Sequence, residues 1–92
     1  MHKTGIAWYQ PEHWQRLLEI SSDKSDLEDT YEEWLDQAED KFRRIRNAGI
    51  DVIKIFINPD ELKSWCEDKD LEINSESRSN FAAFKLQELF SE

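Results

Sequence analysis

Twice in this chain a short apolar run gives way to a polar residue, a proline and an acid: Tyr9-Gln10-Pro11-Glu12-His13-Trp14 and Ile57-Asn58-Pro59-Asp60-Glu61-Leu62. Proline has no N–H to give and its φ is already helical, so it fits at the first position of a helix. An acid in the first turn then complements the helix dipole. Each motif therefore marks a strand that ends and a helix that begins. In the first, Gly5-Ile6-Ala7-Trp8-Tyr9 is the strand, and Pro11 to Ile20 is a helix with Trp14, Leu17 and Leu18 on one face. In the second, Asp51 to Ile57 is the stronger strand, β-branched and aromatic with Lys54 as its lone internal charge. Asn58 caps the helix that follows, which carries Leu62, Trp65 and Cys66 on a shared face.

Each half continues through a connector into a longer helix. Ser21 to Asp29 has a loop composition, with Leu27 as its apolar anchor. Its acids do not make an EF-hand: counting from Asp23, Glu28 stands where glycine is required and Trp34 where the bidentate glutamate belongs. Thr30 and Glu33 form a capping box, and Tyr31, Leu35, Ala38, Phe42 and Ile45 recur at helical spacing until Gly49 stops the run. In the second half, Leu71 to Ile73 is an extended link, and Asn74 or Ser75 caps a last helix running toward Phe90.

The expected fold is thus α+β: a single acidic domain over residues 1–92, with two similar β-α-α halves and a small two-stranded sheet covered by about four helices. If the strands lie parallel, the first pair of helices forms the crossover between them. The match between the halves spans only six positions and can arise from capping chemistry alone, so the repeat is one of architecture and implies nothing about ancestry. The expected core is Trp34, Leu35, Phe42, Ile45, Ile53, Ile55, Ile57, Leu62 and Trp65.

Charge and cysteine usage remove several function classes. Twenty-one acidic against twelve basic side chains give a net charge of −9, which repels nucleic-acid phosphates and anionic lipid headgroups. Neither is an expected partner. Cys66 is the sole cysteine, so no intrachain disulfide or cysteine-based zinc cage can form. With no apolar run of signal-peptide or membrane-spanning length, the expected location is the cytoplasm. No motif for nucleotide binding, a hydrolase nucleophile, a metal or another cofactor is present, so no catalytic residue is assigned.

The strand carboxyl ends are where ligands of open sheets gather, and Tyr9, Gln10, His13, Asn58 and Asp60 occupy equivalent places there. They are the candidate ligand-binding residues of a small-molecule-binding or enzymatic domain, and the competing reading gives them only helix-capping roles. His13 has no nucleophile motif beside it, His2 stands next to the chain start, and neither has a helical i+3 or i+4 ligand partner. Cys66 shares its helical face with Leu62 and Trp65 and reads as a core residue. Lys41, Arg43, Arg44 and Arg46 form a basic cluster that suits the end of their helix. An acidic surface that imitates nucleic acid is a third idea, and it would need carboxylates arrayed like phosphates.

The last helix carries the main functional expectation. Phe81, Phe84, Leu86, Leu89 and Phe90, with Ala82 and Ala83, spread around much of its circumference, more than one small core readily covers. The expected function is therefore a protein-interaction or regulatory domain that binds a protein partner or itself as a homodimer, with those five large side chains as the interface.

Overall fold

The computed structural model describes residues 3–90, so His2 lies outside the described residues. Two strands, β1 (Lys3–Trp8) and β2 (Asp51–Phe56), pair in parallel with Lys3 opposite Asp51 and Trp8 opposite Phe56. Four α-helices follow the expected order: α1 (Trp14–Ile20), α2 (Tyr31–Asn47), α3 (Pro59–Asp68) and α4 (Ser75–Leu89). The result is the small α+β fold of two β-α-α halves read from the sequence.

The local signals act where they stand. Pro11 opens a single 3-10 turn to His13, closed by the His13 N–H on the Gln10 carbonyl at 3.0 Å, before α1 proper begins. At α2 the Thr30 side chain accepts from the Glu33 N–H while Glu33 reaches back to the Thr30 N–H, a complete capping box. Gly49 ends that helix at φ 87°, in the left-handed region that a side chain disfavours. Asn58 accepts from the N–H groups of Asp60 and Glu61, and Asn74 caps α4 through Ser77.

Along each strand the side chains alternate between two faces. Trp8, flanked in the sheet by Lys54 and Phe56, looks toward α2, where its ring meets Trp34 at 5.3 Å and Phe42 at 6.0 Å. Gly5 looks toward α4. A Cβ on Gly5 would come within 2.9 Å of Ile55 Cγ1 and 3.3 Å of Leu86 Cβ, so glycine here permits the close approach of helix and strand. The two halves therefore repeat in order, while their long helices pack on opposite faces of the sheet.

The core runs from Tyr9, Trp14 and Leu17 through Ile55 and Ile57 to Leu62, Cys66, Phe81 and Ala82. Of the expected core, Ile55, Ile57 and Leu62 are buried, whereas Trp34, Leu35, Phe42, Ile45, Ile53 and Trp65 are half-buried. A sheet of two strands is too narrow to cover the whole apolar face of a seventeen-residue helix. Only Ala38 of α2 is fully buried.

Candidate functional site

Because the strands are parallel, the residues that follow them stand at the same end of the sheet. Two of their polar side chains, those of Asn58 and Asp60, are engaged by the fold. Asn58 holds the start of α3, and Asp60 accepts from the Arg16 guanidinium of α1 at 3.0 Å, which ties the two halves together. The Tyr9 side chain is buried, and burial pushes its phenol up to about 12 against the lowering effect of Arg78. Its carbonyl accepts from the Tyr31 hydroxyl at 2.9 Å. Gln10 is exposed, and His13 is half-buried with Nδ1 enclosed and without a hydrogen-bond partner.

Concavities on two sides of α4 bear on these residues. The larger, about 1080 Å³, is a trough along β1 between α2 and α4, and Tyr9 lines it. The smaller, about 510 Å³, lies between α3 and α4 and includes Asp60, Trp65 and Lys85. Gln10, His13 and Asn58 line neither. Among the described residues no group of three or more His, Cys, Asp or Glu side chains is placed to hold a metal ion. Cys66 is buried against the core, and of the basic cluster Arg43 and Arg44 both pair with Asp40.

The last helix divides along its length. Phe81 and Ala82 are buried and Leu86 is half-buried against the core, but Phe84 is 40% exposed, Phe90 54% and Leu89 66%. Phe84 continues an aromatic row with Trp65 and Phe81, their ring centroids 5.3–6.2 Å apart. The Phe90 ring lies 5.0 Å from Lys3 Nζ, at the amino end of the sheet, where Ile50 also stands exposed one residue before β2. No helix of the described chain is long and apolar enough to cross a membrane.

One polar cluster was not foreseen from the sequence. Arg78 of α4 is buried and makes two hydrogen bonds to Asp23, at 2.8 and 2.9 Å, and a third to Ser21 at 3.2 Å. Asp23 also accepts from the Ser75 N–H at 3.1 Å. Its hydrogen bonds from Arg78, and the charge behind them, hold its carboxyl below the ordinary value of 3.8 despite burial. The available signal was a lone base in the first turn of a helix, where the dipole favours acids. No protein-family model, curated protein or solved structure matches this chain.

Proposed function

We propose that the domain is a protein-interaction module that self-associates as a homodimer through the apolar side chains left exposed in the last turns of α4 and at its C-cap. The observation that carries this reading is the exposure of Phe84, Leu89 and Phe90 on a helix whose remaining large apolar side chains are already taken up by the core. Burying a side chain of this size outright is worth roughly 1.5–3 kcal/mol, so covering the part of each of the three that remains exposed, 40–66%, favours association by a fraction of that apiece. Ile50 is also exposed, one residue before β2. A two-fold contact would bring the same side chains together, with the acids that give the chain its charge of −9 at a hydrated rim.

Light scattering across a concentration series tests the reading. The unmodified domain should shift from monomer to dimer, and Phe84→Ser with Phe90→Ser should raise the midpoint concentration at least tenfold while circular dichroism stays that of a folded domain. A chain that remains monomeric at roughly millimolar concentration would refute self-association. The alternative reading, a ligand site at Tyr9, Gln10, His13, Asn58 and Asp60, draws support from one feature, the unpartnered Nδ1 of His13.

A further inference from the structure

A two-stranded sheet leaves one edge of each strand without a neighbour, and at β1 that edge forms the floor of the large trough. In a parallel ladder, one residue turns both its N–H and its C=O to the partner strand and the next turns both away. The Ile57 N–H donates to the Trp8 carbonyl at 2.9 Å, which sets the parity. Thr4, Ile6 and Trp8 thus face β2, and Gly5 and Ala7 direct their main-chain groups into the trough. No third strand among the described residues stands there to meet them. At the next outward-turned position, Tyr9, the Tyr31 hydroxyl already occupies the carbonyl, which ends the open run.

The walls suit a polypeptide backbone. Trp34, Ala38 and Ile45 of α2 stand on one side, and Ser79 and Ala82 of α4 on the other. The volume is at or above the usual small-molecule range of about 300–1,000 Å³, and the six residues of β1 span roughly 20 Å at strand rise. Charge is separated along this length. α4 runs antiparallel to β1, since Leu86 approaches Gly5 and Phe90 lies beside Lys3. The Asp23 loop held at the start of α4 therefore sets Asp26 and Glu28 at the carboxyl end of β1. α2 returns toward the start of β2, which puts Lys41 and Arg44 toward the amino end. Arg44 shares Asp40 with Arg43, and Lys41 beside it is exposed, so that end carries an excess of positive charge.

We infer that this trough binds an extended segment of another protein as an added strand antiparallel to β1, basic at its leading end and acidic at its trailing end. Antiparallel pairing is the more stable ladder per residue, and with that direction the charge order follows from Asp26 and Glu28 at one end and Lys41 at the other. Main-chain hydrogen bonds would supply affinity, and alternate side chains would read the two walls. Pairing of β1 with the β1 of a second copy is disfavoured, because each β1 edge is walled by its own α2 and α4. Phe84, Leu89 and Phe90 do not line the trough.

The probe is an acetylated, amidated peptide Lys-Lys-Val-Thr-Val-Thr-Val-Glu-Glu, titrated into the isotope-labelled domain with amide exchange followed by NMR. In the free protein the Gly5 and Ala7 amides should exchange at least tenfold faster than those of Ile6 and Trp8. Peptide should protect Gly5 and Ala7 selectively. Methylating the peptide nitrogens that face β1 should weaken binding at least tenfold, whereas methylating the alternate nitrogens should not. The charge-reversed peptide Glu-Glu-Val-Thr-Val-Thr-Val-Lys-Lys should bind several-fold more weakly, with the difference fading in salt. Gln37→Trp and Ser79→Trp, both at exposed lining positions, should block the trough in a folded domain. No binding at roughly millimolar peptide, insensitivity to N-methylation, or shifts confined to Phe84, Leu89 and Phe90 would overturn the inference. Only the light-scattering result bears on self-association.

Discussion

Replacing Asp23 by Ala tests the one buried ion pair that joins the first connector to the last helix. The side chains of Arg78 and Asp23 are 9% and 17% exposed, so the variant strands a guanidinium in the interior with only Ser21 to accept from it. Breaking a buried pair from one side costs about 3–5 kcal/mol, and the remaining exposure and the Ser21 contact put this case near the lower figure, about 3 kcal/mol. Against a total of about 5–14 kcal/mol for 92 residues at 0.05–0.15 kcal/mol each, that is a large fraction. Urea unfolding followed by far-ultraviolet circular dichroism measures it. Adding Arg78→Met to the variant should recover part of the loss, because no charge is then left without a partner. The Asp23 carboxyl is depressed in the folded state, so its contribution is full above the ordinary value of 3.8. It is lost as pH falls from there through the lower folded value. The gap between parent and variant should therefore narrow in acid. A loss below about 1 kcal/mol at neutral pH, or a gap that ignores pH, would refute the reasoning.

Phe42→Ala should cost about 2 kcal/mol rather than the 3–5 of a fully buried phenylalanine, since the ring is half-buried between Trp8 and Lys54. Chemical denaturation checks it, and a loss near 5 kcal/mol would mean that α2 is covered by more than the sheet. Gly5→Ala should cost about 1–3 kcal/mol in the same assay by pressing on Ile55 and Leu86, and a neutral result would contradict the close approach of α4 to β1. Tyr9 should ionise in the folded protein only at about 12, read as phenolate absorbance missing from a Tyr9→Phe variant. With the unfolded value near 10.0, this group's contribution to stability is complete below that pH and declines as pH rises toward 12. Ionisation of Tyr9 near 10.0 without unfolding would show that the ring is not enclosed.

What was legible in the sequence is what local chemistry decides. Proline at a helix start, Thr30 with Glu33, and Gly49 act within one turn of chain, and the elements they bound are present within a few residues of the expected limits. The degree of burial was not legible, because it depends on which element lies opposite. Trp34 and Phe42 have the periodicity of a buried face, yet among the described residues only two strands stand beneath them. Arg78 with Asp23 was hidden for the same reason: the partners are 55 residues apart, and the position of Arg78 in the first turn of α4 does not say which acid meets it. The trough was not legible either, since its lining joins residues of β1 with residues of α2 and α4 that are far apart in the chain.

The repeat in the sequence led to equivalent residues, and the fold gives those equivalents unequal surroundings. Trp8 and Phe56 hold the same place before their prolines, sit side by side in the sheet, and point to the same face. α2 lies across that face with Trp34 and Phe42 against Trp8, so Trp8 is buried. The helix that would cover Phe56 in a true packing repeat is α4, and it lies on the other face, leaving Phe56 52% exposed. Placing the two long helices on opposite faces covers much of both sides of a very small sheet, and among the described residues no further strand pairs with its edges. Identical order in the chain therefore yields one enclosed aromatic and one in solvent, because burial follows the side of the sheet each helix returns to.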